Sequence, residues 1–85
     1  MELFETVELM NSAEYENRFI SEYLQLKERY NRLCNMLDDW DNGNLTFTPK
    51  CSRSIYHSQI SAMKSYLNVL ELRARIENIN LNINL

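Results

Sequence analysis

Apolar residues recur along this chain at alternating steps of four and three. The first run is Phe19, Tyr23, Leu26, Tyr30, Leu33, Leu37 and Trp40, the spacing of a helix that packs along one seam. A second run, Tyr56, Ile60, Met63, Leu67, Leu70 and Ala74, repeats the pattern. These runs predict a long helix over residues 12–40, a connection over 41–51 and a second long helix over 52–77. With one seam each, the helices face one another in an antiparallel hairpin, an all-α fold.

Local signals mark the ends. Asn11 offers an N-cap and Glu14, three residues on, completes a capping box. Asp38 and Asp39 oppose the dipole at the far end, and Asn42-Gly43 favours positive φ there. The connection, which contains Phe47 and Pro49, has room for an extended piece at Leu45–Thr48. Ser52 or Ser54 caps the second helix. Ahead of the hairpin, residues 1–10 form a short amphipathic helix with Leu3, Phe4, Val7 and Met10 on one side.

The second helix carries a further stripe: Gln59, Ala62, Tyr66, Val69, Arg73 and Ile76. A two-helix hairpin uses one seam per helix, and the N-terminal helix can cover only one end of this stripe. Its apolar members, Ala62, Tyr66, Val69 and Ile76, are therefore expected at an interface with further copies of the chain, in a helical homo-oligomer. Residues 78–85 alternate asparagine with an aliphatic residue, the period of a half-buried strand. Such a tail could pair with Leu45–Thr48, reach a neighbouring subunit or simply fray.

Size strengthens the case for assembly. A single domain of 85 residues has a marginal core, which small proteins supplement with disulfides, metal or oligomerisation. Residues 1–10 have no continuous apolar stretch of the kind a secretory signal needs, so Cys34 and Cys51 are expected to be reduced thiols. One histidine, His57, and two distant cysteines make no metal site. A net charge of −3 disfavours long nucleic acids, and no apolar run is long enough to cross a membrane. Glycine-rich phosphate loops and nucleophile–base pairings are absent from the sequence, so neither an enzyme nor a cofactor is expected.

The charges are unevenly placed. Six carboxylates and one arginine, Arg18, lie in residues 1–22, after which Lys27, Arg29 and Arg32 cluster beside Tyr23 and Tyr30. In an antiparallel hairpin, Arg73 and Arg75 approach Tyr15 and Arg18. Aromatics interleaved with arginines suit stacking on a base and clamping of phosphate; the same residues also suit a solvated rim of the seam.

One resemblance bears on that choice. The first helix reads Tyr15-x-x-Arg18-Phe19-x-x-Glu22-x-x-x-Leu26-x-x-Arg29-Tyr30-x-Arg32-Leu33-x-x-x-Leu37, and the second Gln59-Ile60-x-x-Met63-x-x-Tyr66-x-x-Val69-Leu70-x-x-Arg73. Together they resemble the phage anti-CBASS proteins of the second type, small sponges for cyclic nucleotides. The resemblance implies a homo-oligomer, typically a hexamer, in the cytoplasm of an infected bacterial host. It would bind a nucleotide second messenger without cleaving it. It also implies that Tyr15 stacks on a base and Arg29 contacts phosphate, with Arg18, Arg32 and Arg73 as further ligand-binding candidates. The N-terminal segment, the connection, the tail and an arginine at 29, where that family often has lysine, depart from the pattern. They leave open a ligand of the ADP-ribose type. The competing readings are a protein-binding inhibitor or adaptor working through its helix face or tail, and a structural helical oligomer of a phage particle.

Overall fold

In the computed structural model, which describes residues 1–83, the chain opens with one 3-10 turn, Leu3–Thr6. This runs directly into a one-turn helix, α1, Val7–Met10. The long helices are α2, Tyr15–Asp41, and α3, Arg53–Glu77. Arg53 donates to the Leu37 carbonyl at 3.2 Å at one end, and Tyr15 donates to Glu77 at 2.6 Å at the other. The helices are therefore antiparallel, as the facing seams require. There is no strand among the described residues.

Every seam position is buried or half-buried. The centre of the core combines Phe19, Ile20 and Tyr23 of α2 with Leu67, Leu70 and Ala74 of α3, and Ile79 beyond it. Leu70, only 1% exposed, contributes roughly 1.5–3 kcal/mol by its removal from water. At the connection end, Arg53 pairs with Asp41 at 2.8 Å and lies over the Trp40 ring at 5.2 Å, while Trp40 meets Tyr56 edge-on. Those contacts clamp the two helices where the loop leaves them.

Both long helices end in the same way. Gly43 takes φ +71°, its N–H reaches the Trp40 carbonyl at 3.1 Å, and the Asn44 N–H reaches Asp39 at 2.8 Å. Asn78 takes φ +57°, its N–H bonds Arg75 at 3.4 Å, and the Ile79 N–H bonds Ala74 at 2.8 Å. Each set satisfies two carbonyls that the helix itself leaves unpaired, with a left-handed residue turning the chain. At the second end the turn drives Ile79 onto Ala74, and both are buried.

That turn decides the tail. Ile79 is buried, Leu81 and Ile83 pack partly buried against the same core, and Asn80 and Asn82 face solvent. The period of two is real, but the partner is the helical core and not a strand at Leu45–Thr48. Asn84 and Leu85, the last of the alternation, lie outside the described residues.

The start of α2 also differs from expectation. Asn11 does not cap it: its N–H bonds the Val7 carbonyl at 3.0 Å and so closes α1. Ser12 accepts from the Glu14 N–H and from the Asn17 amide, each at 3.0 Å, and α2 begins at Tyr15. Having ended one helix, Asn11 cannot begin the next. The N-terminal segment then runs back along α2, held by polar contacts. Ser21 donates to the Thr6 carbonyl at 3.3 Å, Gln25 to the Thr6 hydroxyl at 2.8 Å, and Thr6 and Ser21 are almost fully enclosed. Because it packs on α2 rather than α3, the α3 stripe stays open. Tyr66, Val69 and Ile76 are 45%, 54% and 71% exposed.

Candidate functional site

Antiparallel packing places the last turn of α3 against the first turn of α2, where a small polar cluster forms. Tyr15 donates its hydroxyl proton to Glu77 at 2.6 Å. Arg73 donates through Nη2 to the Tyr15 oxygen at 3.0 Å and through Nε to the other Glu77 oxygen at 3.3 Å. The guanidinium lies over the Phe19 ring at 4.9 Å, and that ring meets Tyr15 edge-on. Helical spacing explains the set: Arg73 and Glu77 are one turn apart on α3, as Tyr15 and Phe19 are on α2.

These contacts fix the charges. The Tyr15 phenol is held above its ordinary range, first by its hydrogen bond to Glu77. Partial desolvation pulls the Arg73 guanidinium down, but bonds to Glu77 and Tyr15 outweigh it and the net shift is upward. Glu77 is lowered, chiefly by the bond from Tyr15. At neutral pH the cluster therefore holds a neutral phenol donor, a guanidinium and a carboxylate.

The other predicted residues divide sharply. Arg18 donates to the carbonyls of Ser12 and Ala13, both at 2.9 Å, and so secures the turn into α2. Arg32 binds Glu28 at 3.1 Å, the Met1 carbonyl at 3.2 Å and Glu2 at 3.4 Å, tying down the N-terminal segment. Arg29 differs from both, with no hydrogen bond or ion pair among the described residues and an exposed side chain. It borders two surface grooves. One, of about 350 Å³, also has Arg18, Gln25 and Tyr66 in its walls; the other, of about 360 Å³, has Arg32, Gln59 and Met63. The Tyr66 hydroxyl donates to the Glu22 carboxylate.

Tyr15 and Arg73 are thus brought together, while Tyr15 and Arg29 are not. Fourteen positions of continuous helix separate the latter pair, about 21 Å along the axis at 1.5 Å per residue. Within one chain they cannot grip the same compact ligand.

Sequence reasoning missed Glu77, and it named Glu22 and Tyr66 only as motif positions, without their bond to one another. The Arg73–Glu77 spacing was visible, but only tertiary packing shows that Tyr15 completes the set. A third feature, a depression of about 360 Å³ between Trp40, Phe47, Pro49 and Arg53, belongs to the connection. No group of three or more histidine, cysteine, aspartate or glutamate side chains among the described residues could hold a metal ion, and both cysteines are free. None of the described helices is long and apolar enough to cross a membrane.

No curated protein and no solved structure matches this chain. A family model does, over residues 13–76, which takes in α2, the connection and nearly all of α3. By that match, with most of the helical hairpin inside the matched region, the chain belongs to the Sequestin family.

Proposed function

We propose that this protein is a sponge that binds a phosphorylated nucleotide signal and withholds it without chemical change. The observation that carries the reading is the pairing of Tyr15 with Arg73 across the hairpin, a stacking surface beside a phosphate donor. The family name, which denotes sequestration, supports it. So does Arg29, an exposed cation whose side chain has no partner to give up among the described residues.

The separation of Tyr15 from Arg29 gives the reading a geometry. A pocket using both takes Tyr15 from one protomer and Arg29 from another. The exposed stripe of Ala62, Tyr66, Val69 and Ile76 supplies the surface for that assembly. A small chain encloses a ligand it cannot surround alone, and a pocket between subunits is the usual solution. Sequestration needs no turnover: free signal falls by mass action once sites outnumber it at concentrations above the dissociation constant.

The test is direct. Purified protein is incubated with cyclic dinucleotides, cyclic trinucleotides and cyclic and linear ADP-ribose species, and a ligand that raises the melting temperature is recovered after heat denaturation. It is expected to emerge intact. Base stacking is worth about 1–3 kcal/mol and a charged hydrogen bond about 1.5–3 kcal/mol. Tyr15→Ala and Arg29→Ala should each weaken binding about tenfold or more, while Lys50→Ala should not. If no nucleotide binds in calorimetry, the adaptor reading replaces this one.

A further inference from the structure

Glu77 occupies an unusual place for a carboxylate in a site that is to receive an anion. Both of its oxygens are taken by the two groups assigned to the ligand: Tyr15 on one, Arg73 on the other. We propose that Glu77 is a built-in occupant of the phosphate position, displaced when a phosphodiester or pyrophosphate group binds. The proposal rests on the nucleotide-binding reading of Tyr15 and Arg73 given above.

Geometry and charge argue for it together. A carboxylate and a phosphodiester each present two equivalent oxygens carrying a single negative charge. Donors that fit one therefore fit the other, and a planar guanidinium suits both. With Glu77 in place, Arg73 is neutralised and its guanidinium sits over the Phe19 ring at 4.9 Å, so the donors are already arranged before any ligand arrives. The arrangement is also easily exchanged. Glu77 stands in the last turn of α3, where the helix dipole disfavours negative charge. Its Arg73 partner precedes it by four residues, the weaker order for such a pair on a helix. Both side chains are substantially exposed, at 45% for Arg73 and 31% for Glu77, so solvent screens the ion pair. The left-handed Asn78 and the buried Ile79 hold the backbone beyond it. Rotation of the Glu77 side chain into water therefore breaks its bonds to Tyr15 and Arg73 without requiring the end of α3 to move.

The consequence is selectivity. A ligand offering one neutral acceptor cannot replace both bonds to Glu77, whereas a phosphodiester or pyrophosphate can. A resident carboxylate thus screens out uncharged nucleosides and lowers affinity for the true ligand by the work of displacement.

The experiment compares the wild-type protein with Glu77→Gln, a substitution that keeps shape and removes charge. ADP-ribose and 3′,5′-cyclic di-AMP are titrated by calorimetry. In parallel, inorganic pyrophosphate is titrated while the Arg73 Nε–H resonance is followed by NMR. Glu77→Gln is expected to bind whichever nucleotide the wild type binds about three- to tenfold more tightly, and to respond to pyrophosphate at lower concentration. Wild-type binding with an unchanged or weakened Glu77→Gln overturns the proposal and leaves the sponge reading standing, because Glu77 then merely positions Arg73. No nucleotide binding, but a pyrophosphate response that sharpens in Glu77→Gln, sinks the sponge reading and upholds the displaceable carboxylate. No response of the Arg73 resonance in either protein overturns the proposal.

Discussion

Val69 and Leu70 are neighbours on α3 with very different exposure, at 54% and 1%, and the contrast gives a sharp test of assembly. Glutamate at 70 places a carboxylate inside the hairpin, where an unpaired buried charge is strongly destabilising, and the chain should fail to fold. Glutamate at 69 points away from the hairpin. In an isolated monomer an exposed substitution of this kind changes stability by only about ±0.5 kcal/mol. In an oligomer that covers the stripe, two losses add. Fully burying a valine contributes roughly 1.5–3 kcal/mol, of which about half remains to be gained at a side chain half in water. Desolvating the new carboxylate without a partner costs several kcal/mol more. The expected result for Val69→Glu is therefore dissociation, or unfolding if the monomer is too weak to stand alone. Light scattering over a range of micromolar concentrations gives the mass, and thermal melting followed by circular dichroism gives the stability. A wild-type protein that is a stable monomer throughout, with Val69→Glu melting at the same temperature, would refute the assembly argument.

Further outcomes follow from particular contacts. Ile79→Ala removes a buried side chain that seals the end of α3. It should cost about 2–4 kcal/mol, lowering the melting temperature by roughly 8 °C or more; an unchanged melt would mean that the tail adds nothing to the core. The double variant Cys34→Ser, Cys51→Ser should keep its mass and ligand binding with or without reductant, since both thiols are free. Loss of binding on reduction of the wild type would contradict this. The Tyr15–Arg73–Glu77 cluster sets a pH window whose edges follow from the shifts. Glu77 is lowered in the folded chain, so its contribution is present above the ordinary carboxylate range and is lost as pH falls through its folded value. Tyr15 is raised, so its contribution is present below the ordinary phenol range and is lost as pH rises through its folded value. The stability this cluster contributes should thus be flat between about pH 5 and pH 10, as thermal melts across that range would read it. Followed by ultraviolet absorbance, the Tyr15 phenol should titrate at lower pH in Glu77→Gln than in the wild type; identical curves would show that the Tyr15–Glu77 bond does not persist in solution.

The residues themselves determined the helical hairpin. Alternating steps of four and three report which side of a helix is apolar, and two such seams of similar length have one economical arrangement, face to face. Asn42-Gly43 likewise marked the end of α2, because few other pairs accept the left-handed turn found at Gly43. The tail shows where periodicity stops being sufficient. Alternation correctly predicts that Ile79, Leu81 and Ile83 turn one way and the asparagines the other. It says nothing about what lies beneath them, and the turn at Asn78 delivers them to the helical core instead of a strand. The capping box failed for a related reason: Asn11 can serve one helix end only, and the short α1 claimed it. Polar partnerships were the least legible. Tyr15 and Glu77 lie 62 positions apart, and Arg18, Arg29 and Arg32 are alike as residue types. Arg18 closes a turn, Arg32 holds the N-terminal segment and Arg29 has no side-chain partner among the described residues. Which cation is spent on the fold and which is available for a ligand depends on the backbone carbonyls and carboxylates that packing brings within about 3 Å. A period along the chain encodes faces; only the folded arrangement of the segments decides which polar atoms meet.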